Sequence, residues 1–303
     1  MTNQPVLISI VGATAIGKTA LSIALAQHFS CPIISSDSRQ FYKEIRIGTA
    51  VPSKDELTAA EHHFIQNRSI FEDYSVGQFE KDALSKIAEL HKNNKVVVMV
   101  GGSGLYVDAV LKGLDYFPDV SSEIRTQLTN NLEKNGINSL QEQLKSLDPI
   151  SYTSIEIENP HRLIRALEIC IGTEKPFSYF KSKPKTPRPF KTIKIGLTAE
   201  RETLYTRINK RVDIMIKEGL IEEAKSVYEH RSLNALQTVG YRELFEYFDD
   251  NISQEFAIEE IKKNTRRFAK RQGTWFRKDT EINWFDFKTP YSDIIEFINK
   301  SID

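Results

Sequence analysis

Cysteine is scarce in this chain: two among 303 residues, Cys31 and Cys170, far apart. That excludes a disulfide framework and a four-cysteine zinc site, and it fits a reducing compartment, the cytoplasm. Excess charge of either sign is also missing, since 41 Lys and Arg stand against 41 Asp and Glu. Overall charge therefore gives no hint of nucleic acid, and any basic surface has to be local. Long apolar runs are lacking. VLISIV (6–11) is short and follows no basic segment, so the N-terminus is expected to be neither a signal peptide nor a membrane span. There is no internal repeat and no long low-complexity tract. With 40% hydrophobic and 27% charged residues, the chain reads as soluble, globular and long enough for two domains.

Over residues 1–110, apolar runs alternate with helical periodicity. VLISIV (6–11), CPIISS (31–36) and KVVVMV (95–100) lack polar alternation, as strands of a parallel sheet covered on both faces do. Helical spacing marks 21–29 and 76–91. From about 120 helical patterns dominate, until KTIKIGL (191–197) reads as a strand returning to the first sheet. Just before it, KSKPKTPRPFK (181–191) has three prolines and five basic residues, an extended connector that refuses helix.

GATAIGKT (12–19) fits G-x-x-x-x-G-K-[ST], after a strand and before a helix. Gly12 and Gly17 let the backbone fold around an anion. The N–H groups of Ala13, Thr14, Ala15 and Ile16 and the helix N-terminus add partial positive charge, and Lys18 a full one. The Thr19 hydroxyl can meet Mg²⁺ or a phosphate oxygen. The expected fold is thus α/β: a P-loop NTPase-like parallel sheet core of 1–119 and 191–303, with an all-helical insertion over 120–190. The motif says polyphosphate, without specifying ATP.

Loops at the C-terminal ends of such strands form the active site. One carries Asp37 in SSDSRQFY, and three roles are open to it: Mg²⁺ ligand, general base, or turn and helix cap. Beside it stand Ser38, Arg39 and Gln40; Asp37 and Gln40 can read a purine edge, and Phe41 and Tyr42 can stack on a base. Another loop, GGSGLY, brings Ser103. Arg207 and Arg211 in LYTRINKRVD share one helix face, where pairing with neighbouring surface acids is one reading. NPHRLIRALEI starts with Asn159 as N-cap and Pro160 at the first helical position. Its Leu163, Leu167 and Cys170 form an apolar face, with Arg162 and Arg165 on another. In 262–278, Lys263, Arg266, Arg267, Lys270 and Arg271 form a basic stripe without acids, suited to an RNA phosphate backbone.

GATAIGKT, SSDSRQFY, VGGSGLY, NPHRLIRALEI, LQTVGYREL and NTRRFAKRQGTWFR, in this order, resemble the tRNA dimethylallyltransferase (tRNA isopentenyltransferase) family, bacterial type. The resemblance implies transfer of a dimethylallyl group from dimethylallyl diphosphate to N6 of the adenosine 3′ of the anticodon, in tRNAs reading U-starting codons. It implies that the loop holds diphosphate with Mg²⁺ near Thr19, that Asp37 accepts the N6 proton, and that Lys18, Thr19 and one of Arg207 and Arg211 stabilise the leaving group. It places Asp37, Ser38, Arg39, Gln40, Ser103, Arg125, His161, Arg162, Leu163, Ile164, Arg165, Lys270 and Arg271 against the tRNA anticodon stem-loop. A cytoplasmic monomer without membrane contact is expected. Ala13 and Ile16 depart from the family's usual Pro and Ser, which puts loop stiffness in question and leaves the phosphate ligands intact. The alternatives are an adenylate dimethylallyltransferase acting on AMP or ADP, a P-loop small-molecule kinase, and a non-catalytic RNA-binding NTPase. The basic segments argue against the first two. A dispensable Asp37 would favour the third.

Overall fold

The computed structural model describes residues 4–181 and 186–302. Strands β1 (Val6–Gly12), β2 (Ile33–Ser35), β3 (His62–His63), β4 (Val96–Val100), β5 (Lys191–Thr198) and β6 (Asn283–Asp286) form one parallel sheet in the order β3-β2-β4-β1-β5-β6. The helices are α1 (Lys18–Phe29), α2 (Lys54–Ala59), α3 (Val76–Leu90), α4 (Gly104–Lys112), α5 (Ser122–Asn135), α6 (Ile137–Leu147), α7 (Pro149–Ser154), α8 (Pro160–Thr173), α9 (Phe177–Phe180), α10 (Arg201–Lys217), α11 (Leu220–Ser226), α12 (Tyr241–Phe248), α13 (Gln254–Phe276) and α14 (Tyr291–Ile302). Strands β3 and β6 do not figure among the sequence expectations; β3 has two residues and β6 is mostly exposed, so neither carries an apolar run.

The apolar strands bury both faces, and their two-residue period sorts the side chains. Val6, Ile8, Ile10, Val96, Val98, Ile193 and Ile195 face one layer, where Leu21 and Leu25 of α1 and Ile294 and Ile298 of α14 meet them. Leu7, Val11, Val97 and Met99 face the other, under Phe79, Ala83 and Ile87 of α3 and Val107 and Val110 of α4. Burying each such leucine or isoleucine contributes about 2 kcal/mol. β1 lies between β4 and β5, so the chain switches sides there and opens a crevice at its C-terminal end.

Two compact units result, Met1–Lys112 with Arg188–Asp303, and Gly113–Pro187. The helical unit thus runs from Gly113 to Pro187, against the expected 120 to 190. Its own core comprises Leu128, Leu140, Leu144, Leu163, Leu167 and Phe177. Within the connector, 186–190 have neither helix nor strand, and 182–185 lie outside the described residues. Among the described residues no helix is long and apolar enough to cross a membrane.

In the sheet unit, α10 to α13 build a further lobe around Val212, Leu220, Tyr241, Leu244 and Ile261. Its link to the crevice is Glu223. That carboxylate accepts the N–H groups of Arg46 (2.9 Å), Ile47 (2.8 Å) and Gly48 (2.9 Å), and the Tyr241 hydroxyl at 2.6 Å. Burial and this carboxylate push the Tyr241 phenol well above its ordinary range. Removing the carboxylate orphans three amides and one hydroxyl, at ~1–3 kcal/mol for each group that water cannot reach. Glu223→Ala is therefore expected to lower urea-unfolding stability by about 3 kcal/mol or more, and Tyr241→Phe by about 1 kcal/mol.

Candidate active site

The phosphate loop closes β1 and opens α1. Gly12 has φ +144°, and a Cβ there would lie 2.8 Å from the Leu197 carbonyl oxygen. Gly17 has φ +113°, again open to glycine at little cost. Ala15 adopts the left-handed region at φ 62°, costing about 1 kcal/mol for a residue with a Cβ. Side chains from outside hold this backbone. Lys18 Nζ donates to the Ala13 carbonyl at 2.8 Å, and Arg207 Nε to the Ala15 carbonyl at 2.7 Å. The Thr14 N–H donates to Gln272 Oε1 at 2.8 Å. Its amide is therefore occupied, and the cradle left for an anion begins at Ala15 and runs into the first-turn amides of α1, which have no intrahelical acceptor. Ala13 and Ile16, the two departures from the family pattern, are buried and pack the loop, with Ile16 also bordering the cleft.

Asp37 follows β2. Its Oδ1 accepts the Arg39 N–H at 2.9 Å, which is the turn role; its other oxygen has no hydrogen-bond partner among the described residues. The loop after β4 sits alongside, with Ser103 Oγ accepting the Ser38 N–H at 3.0 Å and donating to Ser38 Oγ at 3.1 Å. Asp37, the phosphate loop, Gly101, Gly102, Arg207 and Arg211 line one cleft of about 700 Å³. A second cavity of about 290 Å³ is lined by Ser38, Arg39, Ser103, Gln237, Thr238, Phe268 and Arg271. The two share Thr14, Asp37, Thr49, Ala50, Arg211 and Met215, so Asp37 stands where they meet.

Neither Arg207 nor Arg211 pairs with an acid among the described residues, which removes the reading of surface ion pairs. Arg207 clamps the loop and stacks over the Phe287 ring at 5.1 Å. Arg211 faces both cavities, and burial, then the Arg207 charge beside it, hold its guanidinium below its ordinary range. Lys18 keeps some surface on the cleft, yet the loop wraps it so closely that burial dominates, aided by Arg211 and opposed by Asp37, and brings its pKa down to about 8. Lys18, Arg207 and Arg211, none of them ion-paired among the described residues, gather at the phosphate loop and suit an anion there, while Asp37, Glu56 and Glu218 line the rest of the cleft.

Several sequence expectations need correction. Phe41 and Tyr42 are buried at 0% and 4% exposure, in core clusters where no base can stack. The Gln40 amide is fully engaged, accepting from Ser35 Oγ and donating to the Thr49 and Ala50 carbonyls; it braces the wall of the cleft. In α8, Leu163 and Ile164 are 0% and 5% exposed, so their side chains cannot touch RNA, whereas His161 is exposed behind the Asn159 cap. Arg125 grips Glu168 through two bonds of 2.7 and 2.8 Å, with Arg165 on the same carboxylate at 3.5 Å; Arg162 pairs with Glu156 at 3.3 Å. The helical unit's arginines are thus ion-paired in large part. The stripe on α13 is shorter than its sequence suggests. Lys262 pairs with Asp213 and Glu259, and Lys263 with Glu260, acids lying on α10 or one turn upstream. From Arg266 onward, through Lys270 and Arg271, no ion pair forms among the described residues.

Gln272 and Glu223 went unassigned in the sequence reading. Each acts on partners remote in the chain, and only their place inside quoted or helical stretches hinted at them. Titration of Lys18 gives the first test of the site. Folding disfavours its charged form, so stability rises with pH between about 8 and the unfolded value of 10.5. Anion binding has the opposite sign: affinity for pyrophosphate, measured by calorimetry, is expected to fall as pH rises beyond about 8. In Lys18→Met that Lys18-dependent fall is lost and affinity is low throughout.

Comparison with known proteins accords with this geometry. The family described as IPP transferase matches residues 40–279. A tRNA dimethylallyltransferase of Flavobacterium johnsoniae is 58% identical, over 98% of each chain. The solved tRNA isopentenylpyrophosphate transferase of Bacillus halodurans is 37% identical, with a TM-score of 0.72 over 98% of this chain and 95% of that one. A eukaryotic dimethylallyltransferase solved acting on tRNA is 28% identical, with a TM-score of 0.79 over 94% of this chain and 74% of the other. With the family match covering most of its length, this chain belongs to the IPP transferase family.

Proposed function

We propose that this chain is a tRNA dimethylallyltransferase: it transfers the dimethylallyl group of dimethylallyl diphosphate to N6 of the adenosine 3′ of the anticodon, in tRNAs reading U-starting codons. The observation that carries the reading is Asp37 at the junction of two cavities, one of them ending on the phosphate loop. Diphosphate lies in the cradle from Ala15 to Thr19, beside Lys18, Arg207 and Arg211. Ile47, Val51, Ile65, Ile214 and Met215 on the same cleft offer apolar surface to the five-carbon tail. The adenine approaches from the second cavity, past Phe268 and Arg39.

The chemistry follows from charge. The N6 lone pair is delocalised into the ring, so the amine needs its proton drawn away as the new bond forms. The free oxygen of Asp37 takes that proton, N6 bonds to C1 of the prenyl group, and the C1–O bond breaks with its electron pair leaving on diphosphate. A positioned base contributes ~10²–10⁴-fold, and preorganised cations at the leaving group contribute at least as much. Among the described residues no cluster of three His, Cys, Asp or Glu could hold a metal, while the Thr19 hydroxyl opens on the cleft with no protein partner. That fits Mg²⁺ carried by diphosphate and water with Thr19 as its one protein ligand, where it would neutralise leaving-group charge. Two buried free cysteines fit work in the reducing cytoplasm.

The test is an ATP-free incubation with Mg²⁺, dimethylallyl diphosphate and either unmodified tRNA or AMP, read as N6-dimethylallyladenosine by mass. Product with tRNA alone is expected, and Asp37→Asn should lower its rate about 100-fold or more; product with AMP alone would move the protein to the nucleotide branch. Binding supplies a second test. Lys270→Ala and Arg271→Ala together should flatten the salt dependence of tRNA affinity by about one log–log unit per cation. Lys263→Ala, whose cation is already paired with Glu260, should leave the slope unchanged.

A further inference from the structure

We propose that Gln272 is a positioning residue for prenyl transfer, its single side-chain amide tying both catalytic loops to the basic helix α13. The inference rests on the transferase reading above. Gln272 is 6% exposed. Its Oε1 accepts the Thr14 N–H at 2.8 Å, and its Nε2 donates to the Gly102 carbonyl at 2.9 Å. Thr14 belongs to the phosphate loop and lines both cavities. Gly102 precedes Ser103, which holds Ser38 next to Asp37.

A carboxamide presents an acceptor and a donor on two separate terminal atoms without charge, as these two partners require. A carboxylate would face the Gly102 carbonyl with no proton to give, and a cation would crowd Lys18. The opposing backbone is cleared to match: a Cβ on Gly102 would lie 2.3 Å from Gln272 Nε2 and an ordinary 3.6 Å from Lys18 Nζ. The neighbouring residues on the helix line cavities on either side of it. Arg271 lines the second cavity, and Lys270 lines a separate cavity behind the phosphate loop with Ala13 and Ile16. One helical turn thus carries two unpaired cations and the tether that sets where the loop amides lie. Displacing reacting groups by about 1 Å costs up to ~100-fold in rate, which is the effect a lost tether should have.

The experiment compares the unmodified chain with Gln272→Ala, Gly102→Ala and the double variant. Its readouts are kcat and KM for each substrate, and calorimetric affinity for pyrophosphate. Gln272→Ala is expected to weaken pyrophosphate binding and lower kcat/KM for dimethylallyl diphosphate about 10- to 100-fold, with KM for tRNA within about twofold. Gly102→Ala should reproduce that loss by pushing the amide aside. The double variant should be no worse than Gln272→Ala alone, because the side chain that Gly102→Ala displaces is then gone. Multiplying losses in the double variant, or a defect confined to KM for tRNA, or unchanged pyrophosphate affinity in Gln272→Ala, would overturn the inference. Product formation by the unmodified chain in the same assay separates such a failure from a failure of the transferase reading.

Discussion

A backbone that turns its N–H groups toward an anion must turn carbonyls away from it, and those carbonyls need donors. Everything around this crevice answers that constraint. Lys18 serves the Ala13 carbonyl and Arg207 the Ala15 carbonyl, so two cations that line the cleft also hold its anion cradle. Thr14, whose amide points the other way, is caught by Gln272. The strained Ala15 at φ 62° persists because its neighbours are fixed from three directions. The helices carrying Arg207 and Gln272, α10 and α13, belong to the lobe that Glu223 anchors to the cleft wall. Stability of that lobe and geometry of the site are therefore one problem.

Charge is arranged with the same economy. The chain is neutral overall, yet its cations are distributed unequally between paired and unpaired. Lys262 and Lys263 meet acids, Arg125 and Arg165 share Glu168, and these contribute little net field. Arg207, Arg211, Lys270 and Arg271 meet none among the described residues. Burying unpaired cations costs desolvation first and self-repulsion second, visible in the depressed Arg211 and Lys18, and an arriving anion offsets both.

The phosphate loop was legible because its chemistry is local: eight consecutive residues, a strand before and a helix after. Asp37 was legible for the same reason, and so was the Asn159 cap. What sequence hid is what depends on distance. Gln272 reaches partners 258 and 170 positions away, and nothing in RQGTW marks a glutamine as a tether. Gln40, Phe41 and Tyr42 look like base readers in a string, but the turn after Asp37 drives the aromatics into the core and fits the amide to a neighbouring loop. Ile164 lies between arginines in sequence, yet like Leu163, whose apolar face the helical period did reveal, it is buried in the helical unit's core. The acids that shorten the basic stripe sit outside the window in which the stripe was counted.

A loop that holds a leaving group consumes no ATP. The most direct test counts pyrophosphate released against N6-dimethylallyladenosine formed in tRNA, in a reaction lacking any nucleoside triphosphate. One pyrophosphate is expected for each modified adenosine, at a rate that added ATP does not raise. Product that appears only with ATP, or pyrophosphate released without modified adenosine, would contradict it.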